Sequence, residues 1–400
     1  MLAEPLEMTR TALAARARTI SEEIGRRLIA SDVSGDPLGH VLVFDQLFHV
    51  TGEPAWSERA DAQLRRMRFV AGDARAGLHG GVAALLFSAA VASHGGALYR
   101  GFRAALLEHL RSAFEPPVPG ETPAGDFTFD LVSGWAGIAL GLAALGDDVR
   151  AVPENDAWAQ RIRRYLLALV EAPHEMRWRA PSRFSPVTER VAANLGLAHG
   201  MCGVIAALCG TAAPDEGASR DTVARAAGWL RAQARCGSAF AGERWPAALT
   251  DDGPIGSRQG WCYGTPAAAA TLTAAGRSTG DPGCAAVARD ALLGLRDSER
   301  ATWGHDDHAL CHGTLGVAVI ADTVAEAADS DDLRAFALDL YRDALDAFDA
   351  SAPFGYRALI GGKLTDDTTF LEGASGIVLA LLALDRRLPR TWMLALGIAA

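Results

Sequence analysis

Residues 311–321 read Cys-His-Gly-Thr-Leu-Gly-Val-Ala-Val-Ile-Ala, a Gly-x-x-Gly step that runs straight into an apolar stretch. The pattern Gly-x-x-small followed by apolar residues returns as Gly80-Gly-Val-Ala83, Gly134-Trp-Ala-Gly137, Gly200-Met-Cys-Gly203, Gly264-Thr-Pro-Ala267 and Gly373-Ala-Ser-Gly376. A degenerate first copy starts at Gly39. Successive first glycines stand 41, 54, 66, 64, 49 and 60 residues apart, so the chain carries seven units of one repeat. That recurrence also accounts for 42 glycines in 400 residues, above the ordinary share of about 7%.

Each pattern opens a run such as IALGLAAL, VIAALCG or IVLALLAL, which predicts a helix buried on most sides. Between the runs lie amphipathic stretches. Trp56, Ala60, Leu64 and Met67 follow helical spacing, as do Leu333, Phe336, Ala337 and Leu340. Strand signals are nearly absent, so the fold class is all-α. A buried helix alternating with an amphipathic one predicts an inner and an outer layer, and seven such pairs either stack as an open solenoid or close into a ring. Glycine lets the helix starts crowd together and permits backbone angles that other residues resist.

Three stretches rich in turn formers predict loops at residues 115–126, 171–189 and 249–259. The repeats continue on either side of each. Four hundred residues would allow two or three domains, but the repeat predicts one domain over residues 1–400, with an N-terminal helix over 9–30 in the outer layer. The second loop is basic, with Arg177, Arg179, Arg183 and Arg190 beside Trp178 and Phe184, and is either a solvated loop or a rim that docks a peptide.

Half of the residues are hydrophobic and 22% are charged, enough to bury a sizeable core. The net charge of −10 argues against a general nucleic-acid or anionic-membrane surface. The N-terminal residues lack the apolar segment of a signal peptide, and no run of 18 apolar residues predicts a membrane span. Six cysteines without an export signal are expected to be reduced thiols in the cytoplasm.

The chemistry lies just ahead of the glycines. The residue before the first glycine of units two to seven is His79, Ser133, His199, Tyr263, His312 and Glu372, all polar. One such residue is ordinarily a helix N-cap; six in register, if the units are related by rotation, converge on one end of the axis. One place earlier, units five and six carry Cys262 and Cys311, whereas the other units carry Leu78, Val132, Ala198 and Leu371. Two thiolates and the adjoining His312 at neighbouring equivalent positions suit Zn²⁺. Three protein ligands leave a fourth position open, as in catalytic zinc sites; His305 or His308 would close it into a structural one.

Gly260-Trp-Cys-Tyr-Gly264 and Cys311-His-Gly313, together with Leu197-Ala-His-Gly200 and the repeated glycine motifs, resemble the lanthipeptide (lantibiotic) synthetase cyclases, the LanC-like family. The resemblance covers about Gly39 to Leu384 and implies an α/α toroid of seven inner and seven outer helices. It implies zinc held by Cys262, Cys311 and His312. The implied reaction adds a peptide cysteine thiolate to dehydroalanine or dehydrobutyrine, forming a thioether ring. His199 matches the family's catalytic histidine, which takes the thiol proton or protonates the enolate. Asp130 matches an aspartate that would orient His199 or Arg258. Arg258 matches an active-site arginine suited to a developing enolate oxygen, and Tyr263 adjoins the metal and would hydrogen-bond the substrate.

The implied partners are a dehydrated precursor peptide, leader plus core, and a separate dehydratase, since only 38 residues precede Gly39. Two alternatives stay open. One is conjugation of a free thiol such as glutathione to dehydrated residues in proteins. The other is a non-catalytic peptide-binding module stapled by zinc.

Overall fold

Among the described residues, seven mostly buried helices follow the glycine motifs: Leu42–Thr51, Val82–Val91, Trp135–Ala143, Met201–Gly210, Gly264–Thr279, Thr314–Ala327 and Ala374–Leu382. Their sequences offer almost no polar face, and in Ala374–Leu382 every residue is buried. Amphipathic helices alternate with them: Pro54–Arg66, Arg100–Ala113, Pro153–Val170, Gly217–Ala232, Pro282–Arg296 and Asp331–Asp346. The last of these starts where Ser330 caps the Leu333 amide, and it buries Leu333, Phe336, Ala337 and Leu340 as their spacing predicts. This computed structural model describes residues 3–33, 35–67, 75–118, 126–171, 180–181, 191–211, 217–234, 245–250, 253–256, 258–305, 307–360 and 362–398.

The seventh outer helix comes from the other end of the chain. Ala3–Ala30, longer than the predicted 9–30, packs against Ala374–Leu382 and Asp331–Asp346. From Val82–Val91 onward each inner helix packs on the next, the last packs on Leu42–Thr51, and Val82–Val91 meets the first unit through Pro37–Val41, so the layers close into an α/α toroid and not an open solenoid. A buried ion pair fastens the closure: both guanidinium NH groups of Arg10 reach the Asp322 carboxylate (2.5 and 3.1 Å), and Arg386 donates to it at 3.0 Å. With Arg10, Arg386 and, at 3.9 Å, Arg390 around it, Asp322 keeps its charge in the interior.

A belt of hydrogen bonds links the units at the N-terminal ends of the inner helices. His79 N donates to Val132 O, Leu131 N to Ala198 O, Leu197 N to Cys262 O, Cys262 N to Cys311 O, and Cys311 N to Leu371 O, all between 2.9 and 3.3 Å. Phe370 N then donates to Asp36 Oδ2 at 2.6 Å, joining the seventh unit to the first.

The belt corrects the register of unit two. Val82 N bonds to Arg75 O as Thr314 N bonds to Asp307 O and Ala374 N to Asp367 O, so the counterpart of Gly313 and Gly373 is Gly81, not Gly80. His79 therefore stands level with Cys262 and Cys311, two places before the motif glycine, and Gly80 fills the place between. The N-cap reading also fails for these polar residues except in position at Tyr263, which stands at the N-cap of Gly264–Thr279 without a side-chain capping bond. Gly81, Gly134, Gly200, Gly313 and Gly373 are themselves the N-caps, with no side-chain capping bond.

Space, more than backbone freedom, explains the glycines. Four of these five N-cap glycines have φ between −100° and −123°, and Gly200 lies at −141°. A Cβ on Gly376 would stand 1.9 Å from the Phe370 carbonyl oxygen. Gly264, at φ +79°, is the motif position that needs the left-handed region. Unit five carries Ala267 in place of the second glycine and still buries it.

The toroid is filled along its axis by residues 391–398. Ala395 O accepts from His79, Leu396 O accepts from Trp261 Nε1 at 2.7 Å, and Trp392 meets the Phe370 ring edge-on. Gly397 packs between Leu131, Leu197 and Ala206. This segment touches units two, three, four, five and seven.

Short strands occupy connections between units. Ala180–Pro181, Val191–Asn194, Ala248–Thr250 and Gly253–Ile255 form one antiparallel sheet in that order, and Ala358–Ile360 pairs with Lys363–Thr365. The predicted loop at 249–259 thus begins as a hairpin, with Thr250 opposite Gly253. The basic segment with Arg177, Arg179, Arg183 and Arg190 lies outside the described residues.

Candidate functional site

The belt brings the motif residues of adjacent units side by side. Cys262 and Cys311 come together because Cys262 N bonds to Cys311 O. Both thiols are buried, and with a nitrogen of His312 their sulfurs lie within 4.8 Å of one another. The His312 Nδ1 is 3.7 Å from Cys262 Sγ, while its Nε2 is 3.0 Å from Glu372 Oε2.

This packing separates the two thiols electrostatically. The Cys311 thiol donates to Cys262, and this, with His312 next, outweighs burial and lowers Cys262 to about 6. The same hydrogen bond, with burial, pushes Cys311 well above the usual thiol range. Burial works against a charged His312, but the Cys262 sulfur and the Glu372 carboxylate together raise it to about 10. Two soft sulfurs and an imidazole are a donor set that fits a borderline metal ion, and a carboxylate on the far ring nitrogen is the usual support of a ligating histidine. His305 and His308 do not join it. His305 Nε2 hydrogen-bonds to Gln259 O, and His308 Nδ1 lies 2.7 Å from Thr314 Oγ1.

One unit back along the rim stands a different pair. His199 follows Ala198, whose amide, like that of Leu197, points at the Cys262 carbonyl. Its Nδ1 hydrogen-bonds to Asp130 Oδ2, and the fully buried Asp130 accepts from Ser133 N (2.6 Å) and Gly134 N (2.8 Å) through Oδ1. Asp130 thus orients His199, the first of its two expected partners. The Tyr263 ring lies on Gly196, where a Cβ would come within 2.2 Å of it, and its hydroxyl accepts from Asn194 Nδ2 at 3.4 Å. Arg258 is exposed near this face, and its charge contributes to the lowered pKa of Cys262. Ser133 is exposed, and His79 is half-buried, its ring against the axial segment.

Glu372 and Asn194 are the neighbours that sequence reasoning did not assign. Glu372 belongs to the polar row before the glycines, and its place in the unit after His312 was the available signal. Asn194 lies six residues before its motif glycine, outside any motif.

A closed ring of helical hairpins with a dithiol–imidazole cluster at one rim and an oriented histidine beside it defines an α/α-toroid protein whose donor cluster could hold a metal ion. A family model described as "Lanthionine synthetase C-like protein" matches residues 36–395, and the chain belongs to that family. Among solved structures it is similar to a nisin cyclase, with a TM-score of 0.71 and 16% sequence identity over 95% of this chain and 97% of that one. No curated protein matches the sequence. Among the described residues, no helix is long and apolar enough to cross a membrane.

Proposed function

We propose that this protein is a zinc-dependent lanthipeptide cyclase, adding peptide cysteine thiolates to dehydroalanine or dehydrobutyrine to form thioether rings. The observation that carries this reading is the juxtaposition of the Cys262, Cys311 and His312 donors with the His199–Asp130 pair, one unit apart on the same rim. Family membership and the likeness to a nisin cyclase support it. Cys262, Cys311 and His312 would hold Zn²⁺, which would supply the charge that keeps an incoming thiol deprotonated near neutral pH.

The chain's own groups account for the rest. Asp130 engages Nδ1 of His199, so proton exchange with the substrate falls to Nε2. As sulfur bonds to the β-carbon, the alkene electrons move toward the carbonyl, and the α-carbon must receive a proton. His199 accepts the thiol proton and returns one to that carbon, so the ring forms without change of mass. Arg258 supplies positive charge for the developing enolate oxygen, and Tyr263, steadied by Asn194, contributes a hydroxyl to the substrate. The substrate would be a dehydrated precursor peptide from a separate dehydratase, and the compartment the cytoplasm.

The test is metal analysis of the purified protein, followed by incubation with a dehydrated precursor peptide. The expected result is zinc bound, peptide thiols lost and peptide mass unchanged. A mass gain equal to an added thiol compound, with peptide thiols retained, would replace cyclisation with conjugation, and retained thiols at unchanged mass would reject both.

A further inference from the structure

A second cluster of donors lies at the other ends of the inner helices. Asp45 and His49 are one turn apart on Leu42–Thr51, and His94 follows the C-terminal end of Val82–Val91. There His94, Gly95 and Gly96 all take left-handed angles (φ 49°, 72° and 88°) and turn the chain sharply. The His94 ring stacks on Phe48, with centroids 5.3 Å apart and planes within 9°.

The Asp45 carboxylate is the informative group. Its side chain is 2% exposed, and neither oxygen has a hydrogen-bond partner among the described residues. Two imidazole nitrogens and the Gln46 side chain face it: His49 Nε2 lies 3.7 Å from Oδ2 and His94 Nε2 3.4 Å from Oδ1. Charge-assisted hydrogen bonds between such groups are about 2.7–2.9 Å long, shorter than either separation. Ligands at about 2.0–2.1 Å from a tetrahedral ion stand about 3.3–3.4 Å from one another, which is closer to what is observed. All three donor atoms lie within 4.8 Å of one another. Burial outweighs the two imidazoles and raises the Asp45 pKa above the ordinary carboxylate value. A cation between the three donors would offset that burial.

We propose that Asp45, His49 and His94 form a second site, for a divalent transition-metal ion, that ties the first unit of the toroid to the second. Two imidazoles and a carboxylate without sulfur select ions such as Zn²⁺, Co²⁺ or Ni²⁺ over hard cations. An entry path exists: the His49 and His94 side chains are 32% and 30% exposed, and His49 lines a cleft of about 740 Å³ shared with Leu384 and Leu388. The site is independent of the thiol cluster in both donors and position.

Cobalt separates the two sites. In full-length protein carrying Cys262→Ala and Cys311→Ala, Co²⁺ should bind at one equivalent per chain by equilibrium dialysis. Its visible bands should lack sulfur charge transfer. Adding Asp45→Asn and His94→Gln to that background should weaken binding by about 100-fold or more. If the cysteine variants do not fold, stoichiometry in the intact protein gives the same answer: two equivalents, falling to one in His94→Gln. No Co²⁺ on a folded cysteine variant, or binding indifferent to the Asp45 and His94 changes, would overturn the site and leave a plain His–Asp contact.

Discussion

His199 and His312 occupy the same place in two repeats, immediately before the glycine of an inner helix, and each turns Nδ1 back toward the preceding unit. His199 meets Asp130 there, and His312 meets Cys262. The units that follow differ as well. Glu372 holds Nε2 of His312, whereas the corresponding residue after His199 is Tyr263. Under the proposed function, one backbone position would thus yield a metal-ligand imidazole where sulfur faces it and a proton-transferring imidazole where a buried carboxylate does. The belt fixes the geometry, and the neighbouring side chain decides the chemistry.

The sharpest way to break this comparison is to remove one member from each side. Cys311→Ala should lose the bound zinc and lower cyclisation about 10³-fold or more, read by metal content and by peptide thiols remaining. A variant that keeps both would show that the cluster is not the centre of the reaction. His199→Ala should keep its zinc while kcat/KM falls about 10²- to 10⁴-fold, the range of one general acid or base. Normal turnover in that variant removes the role assigned to His199. Loss of zinc from it would mean that the two regions are one device and not two.

His79 sharpens the comparison from a third side, because it stands level with Cys262 and Cys311 yet faces the axis. Burial lowers its pKa to about 4, against the opposing hydrogen bond to the Ala395 carbonyl. The unfolded chain takes up this proton near pH 6.5 and the folded chain only near pH 4. Its stabilising contribution is therefore fully present above about pH 6.5 and is lost as the pH falls to about 4, by up to about 3 kcal/mol. His305, lowered to about 4 mainly by burial, titrates in the same window. Denaturant titrations of His79→Gln across pH 7 to 4 should show a flatter dependence than the native chain. Parallel curves would mean that His79 does not stay neutral in the fold.

Much of this architecture is legible in the sequence, because the motif that shapes it is local. The seven glycine patterns mark the inner helices, and the cysteines of WCYG and CHG mark where two units meet. Closure is not local: it depends on Arg10 reaching Asp322 across 312 positions, which no periodicity records. The register of unit two was obscured by Gly80 and Gly81 standing together, since either fits the pattern. Residues 391–398 look like any apolar tail, and their place on the axis follows only from contacts with five units. Asp130 has two plausible partners in sequence, and the belt decides between them by setting unit three against unit four.

The smallest effect is expected at Glu372, where the comparison is most exposed to correction. Its carboxylate accepts from Nε2 of His312 and so favours the tautomer whose Nδ1 lone pair faces the two sulfurs. Glu372→Gln can still hydrogen-bond but removes the charge, so zinc affinity should fall about 10- to 100-fold while zinc-saturated turnover stays near normal. Competition with a chromophoric chelator measures the first quantity, and cyclisation at excess zinc measures the second. A fall in saturated turnover with affinity unchanged would place Glu372 among the proton-moving groups. His312 would then resemble His199 in more than its backbone position.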